Sequence, residues 1–214
     1  MKLSCVGSEE VGHRNICYIV GAGNFYGELS PKDGDLIIAA DGGFDTLKKM
    51  GITPHLIIGD MDSIESDASV EKLVFPVKKD ETDTYLAYFE GVRRGYCEFV
   101  IFGGVGGRDD HTLANYSLLL YGKERRHNIK IVGERCDVFA IKNEAVCVSG
   151  RPEAHFSAFA FGGCANGVTI RGLEYEAEGI SLTPEFPLAV SNRFLDKEAS
   201  IEVSDGTLII MIER

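Results

Sequence analysis

The sequence predicts an α/β domain with a mostly parallel sheet, followed by a small all-β sandwich or barrel. Three observations carry this. Short apolar runs alternate with helical stretches through the first half of the chain, the pattern of strands buried on both faces by crossover helices. Beyond the charged stretch Lys123 to Asn128, short strands separated by Gly, Pro, Asn and Asp replace that alternation. The length of 214 residues allows one large domain or two small ones, and the change of pattern favours two, 1–124 and 125–214.

In chain order, the apolar runs suited to buried strands are Ile16 to Val20, Leu36 to Ala40, Leu56 to Ile58, Leu73 to Val77 and Phe99 to Phe102. The spacing predicts a short helix over Phe44 to Met50, after the Asp41-Gly42-Gly43 turn and ending at Gly51. A second helix over Thr82 to Arg94 has Thr82 and Asp83 as capping candidates. Tyr85, Leu86, Phe89 and Val92 fall on one face, and Gly95 is the stop. A third runs from Asp110 to about Tyr121. The C-terminal strands are expected at Ile129 to Val132, Val138 to Ile141, Ala145 to Val148 and Val168 to Ile170. A final hairpin pairs Ala199 to Val203 with Thr207 to Ile212 through Ser204-Asp205-Gly206. No internal repeat or low-complexity segment interrupts this plan.

Composition narrows the functional classes. The net charge of -11 argues against nucleic-acid or anionic-membrane partners, which require a basic field. It leaves room for a nucleotide bridged to carboxylates by metal ions. No apolar run reaches membrane-spanning length, and MKLSCVGSEE lacks a signal-peptide pattern, so a cytoplasmic location is expected. The six cysteines form no CxxC pair and are expected to be reduced, mostly buried thiols.

The carboxylates are unevenly placed. Nine of the fourteen aspartates lie between Asp41 and Asp110, most beside glycines at the ends of apolar runs, where the ligands of an open parallel sheet gather. Asp41 follows one run and Gly59-Asp60-Met61-Asp62-Ser63 another. Lys78, Lys79, Asp80 and Asp83 follow a third, and Gly103 to His111 a fourth. In an extended segment Asp60 and Asp62 point the same way and suit one hard cation such as Mg²⁺. The Gly103-Gly104-Val105-Gly106-Gly107 loop offers unobstructed amides before a helix N-terminus, although it lacks P-loop order. Gly21-Ala22-Gly23 opens like a dinucleotide fingerprint but misses the third glycine, which discounts a nicotinamide or flavin enzyme. Arg108 suits a bidentate phosphate clamp, with Lys78 or Lys79 as point charges. His111 reads as a helix-start cap or a core residue. No GxSxG and no cysteine with a nearby histidine marks a nucleophile.

With these motifs in order the chain resembles the bacterial thiamine pyrophosphokinase family. The markers are Val20-Gly21-Ala22-Gly23, Ala40-Asp41-Gly42-Gly43, Gly59-Asp60-Met61-Asp62-Ser63, Lys79-Asp80-Glu81-Thr82-Asp83, Gly106-Gly107-Arg108-Asp109-Asp110-His111 and Ser191-Asn192. The resemblance implies transfer of a pyrophosphoryl group from ATP to the hydroxyethyl oxygen of thiamine with Mg²⁺, giving thiamine diphosphate and AMP. It also implies a homodimer with active sites between subunits. By motif it places Asp60, Asp62 and Asp83 as metal ligands with Asp41 and Asp80 nearby, and Arg108 and Lys79 on the pyrophosphate. Asp110 orients Arg108 or contacts substrate. The catalytic set is thus Asp41, Asp62, Asp83, Arg108 and Asp110, while Gly21, Gly23, Gly106 and Gly107 line the nucleotide path. Ser191 and Asn192 match a motif at the thiamine site, and Tyr175 falls where some relatives carry a stacking tryptophan, a residue this chain lacks. Tyr175 as a core or strand-surface residue stays open. So do two other functions: a pyrophosphokinase for a hydroxymethyl pterin, and a nucleotide or thiamine sensor without turnover.

Overall fold

The apolar runs form strands as their composition dictates. The protein, described from a computed structural model, is defined at residues 4–5, 14–59, 70–75 and 80–214. The elements are β1 (Ser4–Cys5), β2 (Ile16–Val20), β3 (Leu36–Ala40), α1 (Gly43–Lys49), β4 (Leu56–Gly59), β5 (Glu71–Val74), α2 (Asp83–Arg93), β6 (Glu98–Phe102), α3 (Asp109–Lys123) and β7 (Asn128–Val132). They continue with β8 (Cys136–Lys142), β9 (Ala145–Ser149), β10 (His155–Ala160), β11 (Ala165–Arg171), β12 (Ala177–Leu182), β13 (Asn192–Arg193), β14 (Glu198–Glu202) and β15 (Thr207–Glu213). The chain divides into two compact units. One is His13–Leu118 with Arg126–Glu134; the other is Met1–Gly12, Leu119–Arg125 and Arg135–Arg214.

In the first unit, β5, β4, β3, β2, β6 and β7 lie side by side in that order, every neighbouring pair parallel. Parallel strands need covered faces, and both are covered. Tyr18, Val20, Ile37, Ala39 and Ile57 pack with Phe44 and Leu47 of α1. On the opposite face Tyr88 of α2 packs on Phe99 with ring centroids 4.9 Å apart. There Gly91 sits so close that a Cβ would meet the Phe99 ring at 2.6 Å and the Cys17 sulfur at 2.9 Å. β5, expected at Leu73 to Val77, lies earlier at Glu71–Val74. It is an edge strand with half-exposed positions, and so its apolar signal is weak.

The second unit is a sandwich of two antiparallel sheets. β13, β10, β15 and β8 form one; β1, β9, β14, β11 and β12 form the other. Alternate residues from each meet in one core: Phe139, Ile141, Phe156, Ala158, Leu208 and Ile210 against Val146, Val148, Val168, Ile170, Ala199 and Ile201. The expected terminal hairpin does not form, because β14 pairs with β9 and β11 whereas β15 pairs with β8 and β10. The turn between them is tied to other loops. The N–H groups of Ser204 and Asp205 donate to the Asn166 carbonyl, and the Gly206 N–H donates to Asn143 Oδ1 at 2.8 Å. The segment is therefore a corner between sheets.

Among the five cysteines whose side chains are described, Cys17, Cys97, Cys136, Cys147 and Cys164, only Cys17 is buried, which corrects the expectation of mostly buried thiols. Cys147 occupies an outward position of the alternating strand β9, and Cys164 lies in the turn before β11. Burial pushes the Cys17 thiol far above its usual range, so it stays protonated. No helix among the described residues is long and apolar enough to cross a membrane.

Candidate active site

From β2 the chain lays β3, β4 and β5 to one side, then returns to place β6 and β7 on the other. The strand order reverses between β2 and β6, and at such a point the loops leaving the carboxyl ends part to form a crevice. Here they are zipped at their base. The Gly21 N–H donates to the Phe102 carbonyl at 2.8 Å, and the Gly23 N–H to the Gly103 carbonyl at 3.1 Å. Main chain is packed on main chain. A Cβ on Gly23 would lie 2.5 Å from the Gly103 oxygen, and one on Gly103, at φ +65°, 2.6 Å from the Gly21 oxygen. Gly43 at the start of α1 is tighter still, because a Cβ there would sit 1.8 Å from the Val20 oxygen.

Above this base opens a cleft of about 310 Å³. Ala22, Gly23, Ala40 and Asp41 line one side, Gly103 to Val105 with Gly107 another, and Thr82 to Thr84 a third. Asp41 holds φ +50°, a left-handed conformation that aspartate tolerates better than most residues, and its N–H donates to the Ile58 carbonyl at 2.8 Å. Thr82 caps α2, its hydroxyl accepting from the Tyr85 N–H at 3.3 Å. Asp83 is thereby set in the first turn, where the helix dipole favours negative charge. The last wall is one face of α3 and its approach: Arg108, His111, Thr112 and Asn115, at the 3, 4 and 7 spacing of a helix.

Five of the residues read from sequence as site candidates thus share one cleft: Gly23, Asp41, Asp83, Gly107 and Arg108. Gly21 is buried behind it in the zipped base, and Gly106, at φ +81°, turns the loop. Asp80 is exposed and outside the lining. Asp60, Asp62 and Lys79 lie outside the described residues. Asp110 faces Arg108 in a fork, with Nη2 to Oδ2 at 2.6 Å and Nε to Oδ1 at 3.1 Å. That hydrogen bond first of all holds the Asp110 carboxyl below its usual range and raises the Arg108 guanidinium. Both side chains are exposed, leaving the outer edge of Arg108 open to an anion. His111, expected as a cap or a core residue, is an exposed wall residue instead.

Sequence reasoning missed Thr84, Thr112 and Asn115. Asn115 is buried, and its amide donates to the Gly104 carbonyl at 2.7 Å, holding the glycine loop against α3. Its recurrence at helical spacing from Arg108 was the available signal.

In the second unit, Tyr175 is 66% exposed, so it is not a core residue. Asn192 is buried with its amide on the Tyr175 main chain: Oδ1 accepts from the Tyr175 N–H at 2.9 Å and Nδ2 donates to the Tyr175 carbonyl at 2.7 Å. Ser191 is exposed at φ +60°, and its N–H donates to Ser157 Oγ at 3.1 Å. The structure therefore brings Tyr175 to Asn192, the neighbour of Ser191 and 17 positions away in sequence.

Two family models match the chain. Residues 29–132 match the thiamin pyrophosphokinase catalytic domain, and residues 142–208 match the thiamin pyrophosphokinase vitamin B1 binding domain. The chain belongs to the thiamin pyrophosphokinase family. Membership makes it a transferase enzyme. It is 27% identical over 184 residues to thiamine pyrophosphokinase of Bacillus subtilis, an alignment covering 82% of this chain and 86% of that one. A crystal structure of the Bacillus subtilis thiamine pyrophosphokinase superposes with a TM-score of 0.85 at 23% identity, covering 93% of this chain and 99% of the other. The fold also matches thiamin pyrophosphokinase from Candida albicans, with a TM-score of 0.74 at 15% identity over 94% and 89% of the two chains. Within the family frame, the cleft residues from Ala40 to Asn115 fall in the catalytic match, and Tyr175, Ser191 and Asn192 in the vitamin-binding match.

Proposed function

We propose that the protein transfers the intact β,γ-pyrophosphoryl group of ATP to the hydroxyethyl oxygen of thiamine, releasing thiamine diphosphate and AMP. One observation carries the reading. In a chain of this family, the cleft at the strand-order reversal gathers two aspartates, glycine-loop main chain and an arginine, the equipment that phosphoryl chemistry requires. In the reaction the thiamine oxygen bonds to the β-phosphorus, the bond between that phosphorus and the oxygen it shares with the α-phosphorus breaks, and the hydroxyl proton is lost. Catalysis then rests on positioning and on neutralising charge.

The donor chemistry of the cleft fits Mg²⁺, which prefers one or two carboxylates together with phosphate oxygens and water. Asp83, with Asp60 and Asp62 from the segment after β4, would hold it, and Asp41 and Asp80 stand nearby. When bound, the ion supplies positive charge against the polyphosphate. Arg108, oriented by Asp110, and Lys79 clamp the pyrophosphate. Gly23 and Gly107, with Gly21 and Gly106 shaping their loops, let the nucleotide approach the main chain. Catalysis is assigned to the segment read from sequence as 1–124. Thiamine recognition by Tyr175, Ser191 and Asn192 is assigned to 125–214. A cytoplasmic homodimer whose sites join the catalytic unit of one subunit to the vitamin-binding unit of its partner completes the reading.

The test is product analysis with purified protein, ATP, Mg²⁺ and thiamine. Thiamine diphosphate with AMP is expected. Thiamine monophosphate with ADP, or turnover only with a hydroxymethyl pterin, sinks the proposal. For the shared site, Asp83→Asn chains mixed under exchange conditions with Ser191→Ala chains should recover part of the activity that each lacks.

A further inference from the structure

Ser191 and Asn192 are neighbours in sequence and differ in what they have left to offer. The Ser191 hydroxyl is exposed and makes no hydrogen bond among the described residues. Asn192 is buried, and both polar atoms of its amide are bonded to main chain, with one Nδ2 hydrogen left over. Oδ1 accepts from the N–H groups of both Tyr175 and Arg193, each at 2.9 Å, which occupies both lone pairs, and Nδ2 donates to the Tyr175 carbonyl at 2.7 Å. One side chain therefore grips both sides of the Tyr175 residue from 17 positions away.

The rest of the loop is pinned to match. The Gly172 N–H donates to Glu176 Oε1 at 2.9 Å, closing Gly172 to Glu176 on itself. The Glu174 N–H donates to the Arg193 carbonyl at 2.9 Å, and Leu173 pairs antiparallel with Phe194, both fully buried. The outcome is a rigid backbone carrying a large aromatic ring that is two-thirds exposed. Fixing an exposed ring in advance reduces the ordering that a ligand must impose when it binds.

We propose that Asn192 is a positioning residue that fixes the Tyr175 ring for the thiamine ring system and does not itself touch thiamine, whereas Ser191 supplies the polar contact. The inference rests on the reading that thiamine is the acceptor.

The test uses the full chain, which has no tryptophan of its own. Tyr175→Trp places a single indole on the loop, and its time-resolved anisotropy is measured without substrate, alone and combined with Asn192→Ala. Removal of the amide should free the ring and add a fast, large-amplitude decay. In steady-state assays Asn192→Ala should raise the thiamine KM by about 2-fold to 30-fold, the range of a cation-π contact, with little change in the ATP KM. The double variant Tyr175→Ala/Asn192→Ala should be no worse than Tyr175→Ala alone, because the clamp has nothing left to hold. If Asn192→Ala does not fold, Asn192→Asp keeps the Oδ1 acceptor but sets a second carboxylate oxygen against the Tyr175 carbonyl, which breaks that half of the clamp, and a rise in ring mobility is again expected. Unchanged mobility overturns the proposal, as do effects on thiamine KM that add in the double variant, the mark of a direct contact. The anisotropy comparison needs no substrate. A protein that made no thiamine diphosphate would sink the functional reading and leave the clamp to be judged on ring mobility.

Discussion

At the base of the cleft, Gly21, Gly23, Gly43 and Gly103 press main chain against main chain, with no room for a Cβ at 1.8 to 3.0 Å from a carbonyl oxygen. At Tyr175 the same task, holding a ligand-facing group still, falls to the buried amide of Asn192. The first arrangement tolerates one residue type and has no adjustable part. The second depends on three hydrogen bonds of one side chain and degrades in steps as they are removed. The cleft should therefore fail by loss of fold, and the Tyr175 loop by loss of affinity.

The largest effect expected is that of Gly43→Ala. The added methyl has to displace the Val20 carbonyl, a main-chain atom of a fully buried strand position. Destabilisation of at least about 3 kcal/mol is expected, read as a lower denaturation midpoint in urea. Gly163→Ala in the second unit is the control. A Cβ there meets nothing within 4 Å and φ is not positive, so stability should change by no more than about 0.5 to 1 kcal/mol, in either direction. Equal effects of the two substitutions would break the comparison.

Next comes Asp83→Asn, which leaves the base of the cleft untouched and removes one wall charge. Turnover should fall by about 100-fold with the melting temperature nearly unchanged, since a main electrostatic contribution to phosphoryl transfer is lost. A variant with near-normal turnover at saturating Mg²⁺ would take Asp83 out of the site.

The comparison also accounts for what could be read from sequence. Glycines pressed to main chain stand out because nothing else fits, and with the aspartates beside them they mark the strand ends. Gly23, Asp41, Asp83, Gly107 and Arg108 were legible for that reason. Asn115 was marked only by its helical spacing from Arg108, and the Asn192 clamp by nothing local, because a buried amide bonded to a distant main-chain group has no sequence pattern of its own. β10, β12 and β13 were also missed. β10 buries two alanines beside Phe156, β12 is an edge strand paired through bulges, and β13 has two residues. The expected hairpin at 204–206 failed because its partners are chosen by hydrogen bonds to Asn143 and Asn166, remote in sequence.

A smaller effect is expected at the far end of α2. Glu90 is buried under Arg93 and Arg94, accepting from Arg93 Nη2 at 2.6 Å and Arg94 Nε at 2.7 Å, and Arg94 also reaches Glu71 of β5 at 2.7 Å. The hydrogen bond from Arg93, ahead of that from Arg94, pulls the Glu90 carboxyl down to about 2. Its folded value is below its unfolded one, so the contribution is complete above the ordinary glutamate range. It fades as pH falls from there through about 2. Glu90→Gln should cost about 1 to 3 kcal/mol near neutrality and flatten the acid limb of a pH-stability profile. An unchanged acid limb would show that α2 is held by packing alone, as the glycine base is.

The smallest effect is expected at the Arg108–Asp110 fork, and it tests whether the cleft also relies on a side-chain clamp. In drawing it resembles the Asn192 grip, since one group holds another by two bonds, 2.6 and 3.1 Å. The surroundings differ. Asn192 is 4% exposed, whereas the two fork side chains are 72% and 63% exposed, so water competes for both partners and salt screens them. Asp110→Asn should therefore raise the ATP KM only about 2-fold to 5-fold and leave the melting temperature alone, whereas Arg108→Ala removes the anion clamp and should do considerably more. The pH dependence separates the two roles of Asp110. Arg108 holds the Asp110 carboxyl below its usual range, so the fork is intact at neutral pH and is lost only as pH falls below the ordinary carboxylate range. In the unsubstituted enzyme the fork's contribution to ATP KM should fade only there, and in Asp110→Asn it should be missing at every pH. An Asp110→Asn enzyme weakened by 30-fold or more at neutral pH would mean that the fork works as Asn192 does. The two regions would then differ in material but not in principle.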